Sequence, residues 1–260
     1  MRSTDGSEGR YLRLAVVSTP RAGNMWLRRQ LVQLYGLEEV SAHTPGEVDW
    51  GGLPERCVLQ IHWPRTRPFR TMLRRNRFRV VALARHPLDV LLSILQFAPH
   101  EPETARWLDG LYGDEEAIIG ATPVSRAFLE YATGPRARAL LDVSMQWWRH
   151  DLVSLRYEDL VSDPARQLRR IAEAVGVPPV LRPEDVGEAV TFGGLKDEAR
   201  NRHFWQGQPY HWRELLPAHV AEAAAAPYTR LLHTLGYSVD PDKALTDEVA
   251  LACWNAKLSR

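Results

Sequence analysis

A short polar segment between an apolar strand and a helix constrains the fold of this chain more than any other feature. Residues 18–26 follow the apolar run 12–17 and precede a helical pattern that begins near Asn24. Such a strand, loop and helix point several backbone N–H groups and the positive end of the helix dipole at one spot. Arg21 adds a cation there. The segment therefore predicts an α/β protein that binds a phosphate or sulfate at this loop.

This loop does not have the Walker pattern of ATP and GTP sites. That pattern requires a second glycine followed by Lys and Ser or Thr, and the residues after Gly23 do not provide them. The same segment also fits an ordinary strand-to-helix turn, in which Gly23 provides backbone freedom and Asn24 caps the helix. The loop alone leaves both interpretations open.

Length and charge favour one domain and a small anionic ligand. The 260 residues suffice for one α/β domain with a sizeable core. We expect residues 1–10 to be a disordered N-terminus and residues 11–260 to form the domain. Lys and Arg number 33 against 32 Asp and Glu, so the net charge of +1 favours neither nucleic acid nor an anionic membrane as a partner.

The cysteines and the hydropathy pattern predict a cytoplasmic protein. Cys57 and Cys253 lie far apart, without a CxxC or a Cys/His ligand spacing, which argues against a disulfide framework and a structural zinc. The N-terminus lacks the apolar segment of a signal peptide, and the longest apolar stretch, residues 90–98, is too short to span a bilayer. We therefore expect a reducing compartment, no metal and no membrane insertion.

Apolar strands alternate with helical patterns, which predicts parallel βαβ units. Strands are predicted over residues 12–17, 57–61, 78–84 and 152–157, and helices over residues 24–35, 87–97, 137–150, 164–175 and 218–232. Two stretches rich in glycine and proline interrupt the pattern. Residues 38–55 are predicted to be a loop, and residues 98–134 to be short helical pieces that contact the substrate. The predicted fold is a central parallel β-sheet flanked by helices.

Three of the predicted strands end in polar residues. The loop at residues 18–26 follows the first strand, His62 follows the second and Arg85 follows the third. Ligands of open parallel sheets bind beyond the carboxyl ends of the strands. We therefore expect these three groups to converge on one site.

Four short motifs then follow one another in the order of a known family. Residues 18–26 read Ser-Thr-Pro-Arg-Ala-Gly-Asn-Met-Trp, residues 60–64 Gln-Ile-His-Trp-Pro, residues 85–89 Arg-His-Pro-Leu-Asp with Ser93 beyond them, and residues 156–160 Arg-Tyr-Glu-Asp-Leu. Together they resemble the cytosolic-type sulfotransferases that use 3′-phosphoadenosine 5′-phosphosulfate (PAPS). In order, they are similar to that family's 5′-phosphosulfate loop, its Lys-Thr-His-x-Pro motif, its 3′-phosphate motif and its Arg-Tyr-Glu-Asp-Leu motif.

The resemblance implies a P-loop-kinase-like sulfotransferase fold that moves sulfonate from PAPS to a hydroxyl or phenol of a small-molecule acceptor, leaving the adenosine bisphosphate PAP. It implies that His62 is the general base and that Arg21 replaces the family's lysine at the transferring sulfonate. It also implies a set of cofactor-binding residues: Pro20, Arg21, Ala22, Gly23, Asn24, Met25, Trp26, Arg85, Ser93, Tyr157 and Gly207.

The C-terminal segment departs from the family pattern. Phe-Trp-Gln-Gly at residues 204–207 resembles the family's Phe-Arg-Lys-Gly, so Trp205 and Gln206 stand at its two basic positions. Arg200 or Arg202 is a candidate for the missing charge.

Several alternatives remain at this point. A nucleotide-dependent kinase is disfavoured by the missing Walker lysine and Mg²⁺ ligand, whereas a non-catalytic PAP-binding module is disfavoured by the presence of Arg21 and His62. His62 could instead be structural, Arg85 could pair with a surface carboxylate and Ser93 could pack within its helix. The acceptor and the oligomeric state, including a homodimer, are not readable from the sequence.

Overall fold

A parallel β-sheet forms the centre of the computed structural model, which describes residues 11–100, 102–194 and 207–259. Its strands are β1 (Leu12–Ser18), β2 (Glu38–Ser41), β3 (Arg56–Ile61), β4 (Phe78–Ala84) and β5 (Val153–Arg156). They lie in the order β2-β3-β1-β4-β5, and every neighbouring pair is parallel. The predicted fold class is therefore confirmed.

Helices connect and cover the strands. In the part of the chain that the structure describes, they are α1 (Asn24–Tyr35), α2 (Arg67–Arg75), α3 (Pro87–Phe97), α4 (Arg126–Thr133), α5 (Pro135–Trp147), α6 (Tyr157–Ser162), α7 (Pro164–Val175), α8 (Pro183–Ala189), α9 (Trp212–Leu215), α10 (Ala218–Ala225), α11 (Thr229–Leu235) and α12 (Asp247–Leu258). Short 3₁₀ helices span Pro45–Glu47, Ala98–His100, Glu116–Ile118 and Ala226–Tyr228. Pro102–Gly110 contains 3₁₀ turns interrupted by the non-helical residues Trp107, Leu108 and Asp109. None of these helices is both long and apolar enough to cross a membrane.

Local signals in the sequence account for the ends of several helices. Pro87 occupies the first turn of α3, where its missing N–H and fixed φ are tolerated. Gly36 ends α1 in the left-handed conformation, with φ 61°, which glycine adopts at little cost. The Asp163 side chain accepts a hydrogen bond from the N–H of Arg166 and so caps α7.

Both faces of the sheet are buried. On one face, Leu12, Leu14 and Val16 of β1 pack with α1 and α7. On the other face, Ala15 and Val17 pack with α2, α3, α5 and the C-terminal helices. A central strand that is apolar on both faces is typical of a parallel sheet. The strand order places the ends of β1, β3 and β4 side by side.

The structure corrects four sequence predictions. Residues 38–55 are not all loop, because Glu38–Ser41 forms the edge strand β2, which is too short and too polar to give an apolar signal. The helix predicted to reach residue 150 ends at Trp147, and Tyr157 starts α6 instead of ending β5. The alanine-rich helix is broken at Pro227, which lacks the N–H that an uninterrupted helix needs. The predicted disordered residues 1–10 lie outside the described residues.

Candidate active site at the carboxyl edge of the sheet

The three polar strand ends converge as the sequence predicted. The ring of His62, which follows β3, donates a hydrogen bond from Nδ1 to the carbonyl oxygen of Ser18 at 2.9 Å. The guanidinium of Arg85, which follows β4, donates to the carbonyl oxygen of Arg21 at 3.4 Å. The loop after β1 therefore lies between the base candidate and the 3′-phosphate candidate.

Helix α5 holds the start of this loop. The N–H of Thr19 donates to the Oγ of Ser144 at 2.8 Å, and the Thr19 hydroxyl donates to the carbonyl of Leu140 at 2.9 Å. The Ser144 hydroxyl in turn donates to the carbonyl of Leu83 in β4 at 2.7 Å. All these groups are buried, so the protein core itself holds the start of the loop.

The loop turns through two left-handed residues before α1 begins. Arg21 has φ 65° and Gly23 has φ 93°. Gly23 occupies the N-cap position, with no side-chain cap. The interpretation of Asn24 as the cap is therefore wrong: Asn24 is the first helical residue, and its side-chain amide contacts His62 instead. When left-handed and right-handed backbone conformations alternate in this way, consecutive backbone N–H groups point at one concave spot, which suits an anion.

His62 is buried, at 7% exposure, and its hydrogen bonds define its tautomer. The carbonyl of Ser18 can only accept, so Nδ1 carries the proton and Nε2 carries the lone pair. The amide Nδ2 of Asn24 lies 3.4 Å from that Nε2. Burial lowers the pKa of His62 to about 4, opposed by the bond to Ser18 and supported by His43, Arg21 and Arg28. The ring is therefore neutral at pH 7 and can accept a proton at Nε2.

Arg21 extends towards α3. Its Nε donates to the Oγ of Ser93 at 3.1 Å, and its guanidinium lies 4.1 Å from the centre of the Phe97 ring. Burial, followed by repulsion from Arg85, lowers the pKa of Arg21 to about 9, so it stays charged at pH 7. The structure thus brings into direct contact two residues that the sequence assigned to opposite ends of the cofactor.

Arg85 is largely buried, with its side chain 9% exposed. Its guanidinium lies 4.7 Å from the centre of the Tyr157 ring, and Nη2 donates to the carbonyl of Gln208 at 3.2 Å. Its Nε lies 3.9 Å from the carboxylate of Asp89, which is itself buried. The alternative of a surface ion pair therefore does not apply. Both terminal nitrogens of Arg85 donate to backbone carbonyls over long distances, 3.4 and 3.2 Å. A phosphate that binds here can replace these two carbonyls as the acceptor.

Three aromatic rings form a cluster beside the loop. The Trp26 ring lies 6.0 Å from that of Tyr157 and 6.3 Å from that of Phe192, both in edge geometry. A Cβ on Gly23 would overlap the Tyr157 ring, and one on Gly207 would overlap the Phe192 ring. Both glycines are therefore required by close packing as well as by their positive φ. Sequence analysis did not predict a role for Phe192, because its neighbours, Thr191, Gly193 and Gly194, show no apolar periodicity.

Glu158 lies in the Arg-Tyr-Glu-Asp-Leu motif, but the resemblance implied no role for it. It is buried, and its two carboxylate oxygens accept from the N–H of His86 at 2.9 Å and from the hydroxyl of Tyr237 at 2.6 Å. Burial raises the pKa of Glu158 against these hydrogen bonds. The carboxylate thereby fixes the turn that carries Arg85.

Part of the predicted cofactor site is outside the described residues: Arg200, Arg202, Trp205 and Gln206. Gly207 is described, and its carbonyl accepts a hydrogen bond from the hydroxyl of Tyr157. Across the described ranges, no group of three or more His, Cys, Asp or Glu side chains could hold a metal ion.

Comparisons with known proteins agree with the fold. The family model described as the sulfotransferase domain matches residues 13–235. The crystal structure of mouse sulfotransferase SULT7A1 complexed with PAP superposes with a TM-score of 0.66 at 16% identity, covering 88% of both chains. That of retinol dehydratase with androsterone and PAP gives 0.57 at 15% identity, covering 88% of this chain and 82% of the other. The comparison with curated proteins found no match.

Proposed function

The chain belongs to the sulfotransferase domain family, and we propose that this PAPS-dependent enzyme sulfonates a hydroxyl or phenol of a small molecule with His62 as general base. One observation carries the proposal. Three groups lie at the loop after β1: the lone pair of His62 Nε2, the cation of Arg21 and the N-terminus of α1, which has no side-chain cap. A neutral base beside a concave anion site is the arrangement that sulfonate transfer to a hydroxyl requires.

The cofactor side of the site fits a nucleotide with two anionic ends. Trp26, Tyr157 and Phe192 offer apolar ring faces for a purine. We assign Arg85 and Ser93 to the 3′-phosphate and the backbone of residues 20–26 to the 5′-phosphosulfate. The solved relatives with PAP bound support this assignment.

PAPS supplies an activated sulfonate and the leaving group. The residues of this chain then orient the acceptor and move one proton. Nε2 of His62 accepts the proton of the acceptor hydroxyl while the hydroxyl oxygen forms its bond to sulfur. The bond between sulfur and the phosphate oxygen would break at the same time, and PAP would leave with its electron pair. The carbonyl of Ser18 stabilises the resulting imidazolium through Nδ1. The positive charge of Arg21 and the positive end of the α1 dipole stabilise the negative charge of the sulfonate.

We infer that aromatic residues at the end of α3 and in the segment after it line the acceptor side of the site. The rings of Phe97 and Trp107 are stacked, with centroids 6.0 Å apart, and Phe97 also contacts Arg21. Retinol dehydratase has been crystallised with androsterone and with retinol, both small alcohols, which supports a small hydroxyl acceptor here. Cys57 and Cys253 are free thiols, in keeping with our proposal of a cytoplasmic location.

Ligand-dependent unfolding tests the proposal. PAP at a hundredfold excess over its dissociation constant should stabilise the fold by roughly 2.7 kcal/mol. ATP should stabilise it much less, because ATP has no 3′-phosphate for Arg85 and Ser93. Equal stabilisation by both nucleotides, or a requirement for Mg²⁺, would favour a kinase instead. PAP binding without PAPS-dependent sulfonation of any phenol or alcohol would favour a non-catalytic module.

A further inference from the structure

Residues 207–212, which we name the cover segment, lie against the predicted cofactor residues. The carbonyl of Gly207 accepts from the Tyr157 hydroxyl, and the carbonyl of Gln208 accepts from Arg85. Further along, the Trp212 ring stacks on His86 with centroids 5.0 Å apart. The position of the cover segment therefore affects how Tyr157 and Arg85 are oriented.

A single carboxylate from α3 holds this segment. Asp89 is 1% exposed, and its Oδ2 accepts from the N–H of Tyr210 at 2.6 Å while its Oδ1 accepts from the N–H of Trp212 at 3.0 Å. Tyr210 has φ 62°, a costly conformation for a residue with a side chain. This conformation turns the two amides towards the same carboxylate, which compensates for its cost.

We propose that Asp89 is a positioning residue for cofactor binding: its carboxylate fastens the cover segment to α3 and keeps Arg85 aimed at the 3′-phosphate. Asp89 does not bind the phosphate itself. Its carboxylate lies 3.9 Å from Nε of Arg85, whereas the two terminal nitrogens of Arg85 donate to backbone carbonyls and are the atoms that we expect to bind the phosphate. The inference rests on the proposed function, because it assumes that Arg85 binds the 3′-phosphate.

The direction in which PAP affinity changes when Asp89 is neutralised distinguishes a positioning role from a purely electrostatic one. Asp89 is an anion close to the proposed site of a dianionic phosphate. If it acted only through its charge, neutralising it would remove repulsion and tighten PAP binding. If it acts as an anchor, the Asp89→Asn substitution weakens PAP binding, because the NH2 group that replaces one carboxylate oxygen cannot accept a hydrogen bond from a backbone N–H.

The experiment measures PAP and adenosine 5′-phosphosulfate binding to the full chain by titration calorimetry, with amide hydrogen exchange in the absence of ligand. For Asp89→Asn we expect the dissociation constant for PAP to rise about tenfold or more. Adenosine 5′-phosphosulfate, which lacks the 3′-phosphate, should lose less affinity. The amides of Tyr210 and Trp212 should be protected in the wild type and exchange faster in the variant.

Glu115→Gln is the matched control, because Glu115 is equally buried and pairs with Arg136 at 2.9 Å away from the cover segment. It should lower thermal stability without changing the ratio of the two nucleotide affinities. Unchanged or tighter PAP binding by folded Asp89→Asn would overturn the inference and leave the proposed function intact. Absence of PAP binding by the folded wild type would overturn both.

If Asp89→Asn does not fold, the exchange measurement on the wild type and the variant Asp89→Glu decide the question. Rapid exchange of the Tyr210 and Trp212 amides in the wild type would overturn the inference. For Asp89→Glu, which keeps the charge but displaces it by one methylene, weaker PAP binding supports the anchor. Unaltered binding together with unaltered protection counts against it.

Discussion

The turns after β3 and β4 each carry a buried histidine, and the two histidines differ in what their ring nitrogens contact. Burial lowers the pKa of both His62 and His86 to about 4. In His86, Nδ1 accepts from the N–H of Leu88 at 3.3 Å and Nε2 donates to the carbonyl of Ser238 at 3.1 Å. In His62, Nδ1 binds a carbonyl in the same way, but Nε2 faces only the side-chain amide of Asn24 among the described hydrogen bonds.

This difference shows that a perturbed pKa does not by itself identify a catalytic histidine. Backbone groups hold both nitrogens of His86, and its ring packs against Trp212 and Tyr237. A side-chain amide can rotate away from Nε2 of His62, whereas a backbone carbonyl within a folded core cannot. We therefore expect His86 to be structural and keep His62 as the proposed general base.

The strongest test of this assignment is His62→Ala. The substitution should lower kcat by about 10² to 10⁴, because proton transfer is needed only on the way to the transition state. PAP affinity, measured by calorimetry, should stay close to that of the wild type. A variant that keeps most of its turnover would remove His62 from the mechanism, and one that no longer folds would support a structural role.

The companion substitution, His86→Ala, should act mainly on stability. It leaves the N–H of Leu88 and the carbonyl of Ser238 without their partners and opens a cavity beside Trp212, at a cost of about 2–4 kcal/mol. Denaturant unfolding measures this loss. A stable His86→Ala protein with a large loss of kcat would reverse the assignment of the two histidines.

Arg85→Ala tests the nucleotide end of the β4 turn. Losing its charge-assisted contacts should weaken PAP by about 1.5–3 kcal/mol, and Ser93→Ala should weaken it by less. Adenosine 5′-phosphosulfate binding should change little for either variant, because it lacks the 3′-phosphate. Equal weakening of both ligands would show that these residues bind another part of the nucleotide.

The last expected effect is in the pH dependence of stability. Because the folded pKa of His62 lies at about 4, below its usual value of 6.5, the unfolded chain binds the proton first as the pH falls. The unfolding free energy of the wild type should therefore fall relative to that of His62→Gln between pH 6.5 and about 4. Groups common to both proteins cancel in this difference. Parallel curves would mean that His62 is not desolvated.

Much of the scaffold follows from local patterns. The apolar runs of β1, β3 and β4, the Pro87 helix start and the Gly36 helix end were predicted correctly because each depends on residues close together in the chain. The convergence of the strand ends also followed, since parallel strands share one carboxyl edge. The edge strand β2 did not follow, because only its pairing with β3 reveals it.

The sequence by itself determined which residue types stand at the ends of the strands, and tertiary structure decided what each of them contacts. Asp89 carries the signal of a helix first turn, yet its hydrogen bonds reach Tyr210 and Trp212 more than a hundred residues further along the chain. The lone pair of His62 likewise depends on a carbonyl from another strand. Periodicity and capping report neighbours in sequence, whereas hydrogen-bond direction and burial arise only when distant segments pack together.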